Sequence, residues 1–448
     1  MNKILTIAAL ALVLSACSNE DNDIQTPVEQ PAKSEGIPFT ATISIGESAS
    51  TRALAEDEVN KKIVATWETG EKVALIYDAG GTPTKTDAEV TKQADGTATI
   101  SATLESGATN GSDVTIIYPA TAVDPTTRDV AANLLAAQDG TLTGTGGTSI
   151  AEKYDVRKGT GKLNINDGKA TVNNGTAGTT VSLTNQNAIF KLTLKDIDGT
   201  SDVSSTSVII SDENGVVTTV TPASGYEKAM YVALPTTATT LKFLVTGSDS
   251  KKYFNMASGF TLGANYYQST IKLATIGNVI ASNGKCYKNK AATPGGNTAV
   301  AMIAYLGNES NCSNGLAAAM EDTKSEYGLE PMYLSEANAV CSNLNTSLPI
   351  TGGTWRLPSV TDFQYMIISC GSGQSYSDPW NEMTKNFQAL ADMLGAAGGS
   401  NYMENTNYFT RYGNPFVWIL NFSYDDFEAE FTLVDDHVDA FARACLAF

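Results

Sequence analysis

From Ile37 to about Leu273, apolar and polar residues alternate with a period of two, and helical spacing enters only near residue 300. Phe39, Ala41, Ile43 and Ile45 share one face while Thr40, Thr42 and Ser44 share the other, which predicts a half-buried strand. The same grammar predicts strands at Lys72–Tyr77, Asp113–Tyr118, Ala188–Leu194, Val208–Ser211, Tyr231–Leu234, Leu241–Thr246 and Tyr266–Leu273. Asn214-Gly215 between apolar runs predicts a hairpin with a type I′ turn, which needs positive φ at both central residues. Gly, Thr, Ser and Asn fill the gaps, so sandwich-like β units are expected.

Beyond Ile280 the period changes. Ala337, Val340, Cys341 and Leu344 fall at i, i+3, i+4 and i+7, with Ser335 placed to cap the helix. Ser359 followed by Asp362 predicts a second, capped helix with Phe363 and Ile367 facing inward. Asp378-Pro379 opens a third, striped by Trp380, Met383, Phe387, Leu390 and Leu394 and closed by Gly395. Short strands are expected at Val417–Phe422, Glu430–Val434 and Ala440–Phe448. The fold class is therefore mainly β: two tandem β-sandwich-like domains, residues 37–165 and 166–276, then an α+β domain over 280–448.

The chain's 448 residues are ample for three such cores. Its formal net charge is 29 − 48 = −19, which excludes nucleic acid as a partner, since phosphate binding needs a basic footprint. Only 17% of residues are charged and 42% are apolar, so the acidity does not mark a disordered polymer. His437 is the one histidine, and six cysteines lack any C-x-x-C pair, which removes the usual zinc and thioredoxin-type motifs. No G-x-S-x-G occurs, and His437 stands beside Asp435 and Asp436 as a surface residue would. Gly144-Thr145-Gly146-Gly147 runs on to Ser149 and fails the dinucleotide fingerprint. Asp425-Asp426-Glu428-Glu430 lacks calcium-loop spacing. No catalytic residue, metal site or cofactor is expected, and the protein reads as a non-enzyme.

Lys3 and the apolar run Ile4–Leu14 fit a signal peptide over residues 1–16, too short to span a bilayer. Leu14-Ser15-Ala16-Cys17 resembles the lipobox of bacterial lipoproteins, which implies that Cys17 is lipidated and anchors the chain by two acyl signals in the outer membrane. The acidic run Ser18–Asp23 resembles the surface-export signal of Bacteroidetes lipoproteins, and residues 17–36 read as a flexible tether.

Ile37-Pro38-Phe39-Thr40-Ala41-Thr42-Ile43, then Thr51-Arg52-Ala53, then Trp67-Glu68-Thr69-Gly70-Glu71-Lys72-Val73 resemble the N-terminal pattern of the fimbrillin family of Bacteroidetes, with Glu71 where aspartate is usual. Tyr118-Pro119, Gln138-Asp139-Gly140-Thr141, Asn185 to Leu194 and Leu262-Gly263-Ala264-Asn265-Tyr266 continue the likeness over about residues 37–275. The resemblance implies a type V pilus subunit. An Arg-specific protease cuts between Arg52 and Ala53, the strand holding Phe39 to Ile45 leaves, and a neighbouring subunit's strand fills the groove by β-augmentation. Ser48 to Thr51 and Ala53 to Val59 make the polar, small-residue loop that such a protease needs.

Trp355-Arg356-Leu357-Pro358-Ser359, Gly315-Leu316-Ala317, Tyr408-Phe409-Thr410 and Arg443 to Phe448 resemble the C-terminal domain of Bacteroides fimbrillin-type tip proteins, related to C-type-lectin-like folds. That likeness implies a structural Trp355, a buried ion pair at Arg356 and a disulfide between Cys341 and Cys445, with Cys370 a rival partner for either. Cys286 with Cys312 is a second pairing. Calcium-dependent lectin motifs are absent; the nearest, Trp380-Asn381-Glu382, lies on the third predicted helix. Phe441 to Phe448 alternates like an integral last strand, which can accept no role as a donor. The expected molecule is thus the tip adhesin of a pilus on the cell surface, binding other pilus subunits and an unknown glycan or protein ligand. The alternative is a non-polymerising, lipid-anchored binding protein.

Overall fold

The computed structural model describes residues 36–45, 54–57, 62–144, 148–173, 180–223, 227, 229–324, 331–371, 379–400, 402, 406–410, 416–423, 428–435 and 440–448. Cys17, Arg52, Ala53, Asp378 and His437 lie outside these residues, as do the side chains of Trp380 to Glu382. The chain is mainly β, as its alternation predicts.

The first sheet goes beyond a sandwich layer. Seven of its nine strands form a closed ring: Ile37–Ser44, Ala98–Leu104, Thr82–Lys92, Lys72–Ala79, Asp113–Tyr118, Arg157–Asn166 and Lys169–Asn173, the last pairing back onto the first. Thr180–Ser182 and Thr184–Asn185 pair onto the ring. Closure leaves an interior to fill, and Phe39, Ile43, Leu75, Ile100, Ile116 and Val172 fill it, each at most 1% exposed. Glycine in the strand Arg157–Asn166 has a steric reason. A Cβ on Gly161 would lie 2.3 Å from the Val172 side chain, and one on Gly159 would lie 2.6 Å from the Ser182 carbonyl.

The second unit is a sandwich. Ala229–Pro235, Asn187–Asp196 and Tyr266–Leu273 form one sheet, and Lys252–Ser258, Thr240–Gly247, Ser205–Asp212, Gly215–Val220 and Ala137–Gln138 form the other. Leu192, Val208, Val232, Phe243 and Val245 fill the space between. The short strand Ala137–Gln138 comes from the first 165 residues yet pairs with Thr219 and Val220. Gln138 is buried, and its amide both donates to Ala233 O and accepts from Ala233 N at 2.8 Å. The Gln-Asp-Gly-Thr run is therefore a staple between units.

The third unit is α+β. Its six-stranded sheet runs Cys286–Tyr287, Val279–Ala281, Ala299–Leu306, Gly315–Ala319, Cys445–Ala447, Thr354–Arg356. Helix α1 (Leu334–Ser347) covers one face, while α2 (Val360–Cys370) and α3 (Pro379–Ala396) cover the other. Ala299–Leu306 is accordingly buried at every position. The α1 face also packs against the second unit, where Phe254 meets Phe448 at 4.6 Å between ring centres.

Several local expectations change. Helix α1 is capped at Tyr333, with no side-chain bond, instead of at Ser335. The Ser359–Asp362 capping box forms as expected. Helix α3 runs through Gly395 and its chain turns at Gly398, which has φ +92°. The hairpin closes over Glu213-Asn214, with Asp212 paired to Gly215. The Asp212 carboxylate accepts from both Asn214 N and Gly215 N, so the turn is held without positive φ at Asn214. The last strand is short, Cys445–Ala447, because Ala440 and Ala442 make only single bridges.

Arg443 and Asp322 form an ion pair with side chains 1% and 4% exposed. Arg443 also donates to Ser400 O at 2.9 Å and lies 4.3 Å over the Tyr402 ring, while Tyr408 donates to Asp322 at 3.0 Å. Removing one partner leaves a buried charge uncompensated. Asp322→Ala is expected to cost about 3–5 kcal/mol, read as an earlier unfolding transition in urea; a change under 1 kcal/mol would contradict the pairing.

Candidate functional site: the groove of the first strand

The first strand is held from both sides. Ile37 to Ile43 pair antiparallel with Leu104 to Ala98, while Phe39 pairs parallel with Ala170 and Thr42 to Ser44 pair parallel with Thr180 to Ser182. Its inward residues Phe39, Ala41, Ile43 and Ile45 are all buried, as the alternation predicts. Burying side chains such as Phe39 and Ile43 contributes roughly 1.5–3 kcal/mol each. Without this strand the ring would present two rows of unpaired backbone groups beside an apolar slot.

The exit of the strand is polar. Leu183 N donates to Ser44 O at 2.7 Å, and Arg157 Nη1 donates to Ile45 O at 3.3 Å. Asp155, 1% exposed, holds Arg157 through Nε at 3.1 Å. Trp67 and Tyr118 meet edge to face at 5.4 Å on the same rim. Ile45 at this exit and Leu54, which is buried in the same core, are consecutive among the described residues; the expected Arg52-Ala53 bond lies outside them.

The Trp67 to Val73 motif is a turn that builds the rim. Gly70 has φ +97° and donates to Val90 O, Val90 N donates to Glu71 O, and Glu68 N donates to Glu71 Oε2. Burial, with the Asp155 charge adding, pushes the Glu71 carboxyl up to about 7.

The expected cysteine pairs are not joined: Cys286, Cys312, Cys341, Cys370 and Cys445 are free thiols. Alternation along the last strand explains the first case. Cys445 faces α2 and α3, whereas Cys341 on α1 packs with Trp355 and Leu446 on the opposite face. Cys286 and Cys312 likewise pack against different cores. Burial pushes Cys286, Cys312, Cys341 and Cys370 up to about 12 and raises Cys445 further, so all five are protonated and weakly nucleophilic at neutral pH. Among the described residues no group of three or more His, Cys, Asp or Glu side chains could hold a metal.

Trp355 and Arg356 take the structural roles expected of them. Trp355 is 1% exposed and donates to Leu348 O at 2.9 Å. Arg356 forks onto Asp362 at 2.7 and 3.2 Å. Sequence reasoning missed the buried Arg443–Asp322 pair, because its partners are 121 residues apart.

No family model matches the sequence, and no curated protein is similar to it. Solved structures are similar at a low level. A candidate cell adhesion protein of Bacteroides fragilis is 13% identical, covering 54% of this chain and 97% of its own, with a TM-score of 0.29. One from Bacteroides uniformis is 15% identical, covering 54% and 94%, at 0.27. A shaft pilin of Lactobacillus rhamnosus GG is 11% identical, covering 54% and 99%, at 0.21.

Two outcomes check the groove and its rim. Ile43→Ala is expected to destabilise the protein by about 2–5 kcal/mol, whereas Thr40→Ala on the outer face changes it by no more than about 0.5 kcal/mol; equal effects would place Ile43 outside the core. Because folding raises the Glu71 pKa, its unfavourable contribution grows as pH climbs from the ordinary glutamate range through about 7. Glu71→Gln should therefore match the parent's melting temperature near pH 4.5 and exceed it above pH 7; a gap that is constant with pH contradicts the assignment.

Proposed function

We propose that the chain is a surface pilus subunit, activated by cleavage after Arg52 and assembled by accepting another subunit's strand into the groove of its own first strand. The observation that carries this reading is the two-sided pairing of Ile37–Ser44 with Phe39, Ala41 and Ile43 buried on its inner face. A strand so placed leaves behind a slot that an extended segment with alternate apolar side chains fits: ladder bonds give affinity, and the pockets of Phe39, Ala41, Ile43 and Ile45 set register. The precursor is exported as a lipoprotein on Cys17, and cutting at Arg52-Ala53 frees the rest from its anchor.

The tip position and adhesive role belong to the same proposal. Cys445–Ala447 is an interior strand, paired with Gly315–Ala319 on one side and Thr354–Arg356 on the other. A strand locked in that way is not itself free for donation, which supports a terminal position. The α+β unit then points outward and carries ligand recognition.

Arg52→Ala tests the proposal. The mature surface protein should begin at Ala53 in the parent and remain lipidated at Cys17 in the variant, with assembly lost. An unchanged N-terminus and unchanged assembly would leave the non-polymerising lipoprotein reading instead. Adding recombinant protein lacking residues 1–52 to cleaved stalk subunits should halt elongation; continued growth beyond it removes the tip assignment.

A further inference from the structure

We propose that the groove of the first strand selects its replacement by size, taking an extended segment of another subunit that carries bulky, small and bulky apolar side chains at alternate positions. The inference rests on the strand-accepting part of the reading above and names the chemistry of the partner.

The size pattern is written on both edges of the groove. On the strand Ala98–Leu104, Ala102 stands directly opposite Phe39, Ile100 opposite Ala41 and Ala98 opposite Ile43. Residues so placed share a face of the sheet, with Cβ atoms about 4.5–5.5 Å apart. Both bulky side chains of the first strand therefore meet an alanine, and the small one between them meets an isoleucine. The other edge repeats the first step, where Ala170 is paired with Phe39. The phenylalanine lies between two alanines, and all of these residues belong to one core or pack against it.

Closure makes the pattern strict. An open sheet can splay to admit a larger side chain, whereas the interior of a ring is bounded on every side. A bulky residue in the place of Ala41 would be driven onto Ile100, which is fully buried. An alanine in the place of Phe39 would leave a void between Ala102 and Ala170. Because side chains alternate, the smallest slip that keeps the apolar face inward is two residues. In either direction that slip sets Phe39 or Ile43 of the native order against Ile100, so the sizes lock the register as well. The outward Thr40 and Thr42 are paired with Ser101 and Thr99, neutral side chains that impose no charge on the occupant.

The segment comes from another subunit and not from a second copy of this chain. The same order recurs here at Tyr267, Ser269 and Ile271, but their strand, Tyr266–Leu273, is paired along its whole length with the strand Asn187–Asp196. Ile271 and Leu273 are buried in the core of the sandwich, so that strand is committed to its own unit.

Two measurements test the proposal. In the intact chain, Ala41→Leu and Ile100→Ala should each lower the melting temperature, and the double variant should melt above both, because the bulky and small residues have only changed strands. A double variant that melts lower than that overturns the size matching, and the rescue can be read even if Ala41→Leu alone fails to fold. The intact chain, nicked after Arg52, is then offered a labelled peptide copying Gly36 to Ile45, or one of the same composition with the residues at 39 and 41 exchanged. The native order should be taken up at least tenfold better, and Ile100→Ala should narrow that ratio. Equal uptake, or preference for the exchanged order, overturns the inference and leaves strand acceptance standing. Uptake of neither peptide removes strand acceptance, and the proposed partner with it. Nicked chains that assemble with one another when no peptide is added would make a second copy the occupant and overturn the choice of partner.

Discussion

Backbone pairing on both sides of one strand organises the N-terminal unit. The strand Ile37–Ser44 sits inside a ring, so each of its hydrogen-bonding edges is matched and its apolar face plugs the interior with Phe39 and Ile43. An edge strand can peel away and leave the rest of a sheet intact, whereas a strand in a closed ring cannot be removed without opening it. The same constraint reaches the rim: Arg157 spans from Asp155 to the carbonyl of Ile45, where the strand leaves the ring. Closure of the ring and the filling of its interior are therefore properties of a single element.

The other two units are joined more firmly than a string of beads. Gln138 ties the ring to the sandwich by a paired amide, and Phe254 packs on Phe448 to tie the sandwich to the α+β unit. Lys242 seals the same seam by donating to Gly352 O, whose left-handed backbone, φ +76°, brings the loop close enough.

The sequence announces what depends on near neighbours. Alternation placed the strands, Ser359 with Asp362 placed the start of α2, and the inward set Phe39, Ala41, Ile43 and Ile45 came out complete. Long-range features were hidden. Ring closure depends on Lys169–Asn173 returning to a strand some 130 residues earlier, and no local period records that. The Cys341 and Cys445 pairing failed because which face of the sheet a helix covers is a tertiary choice.

The mixed pairing of the first strand bears on polarity. The strand on one edge runs antiparallel to it, and the two short strands on the other edge run parallel. Reversing the direction of an occupant would exchange the two ladders without abolishing either, and a period of two reads the same in both directions. Hydrogen bonding alone therefore does not tell a replacement which way to run. That choice falls to the unequal sizes of the sockets, a phenylalanine near one end and an alanine next to it. A fibre built on such a slot would owe its arrowhead to side-chain volume, not to the backbone.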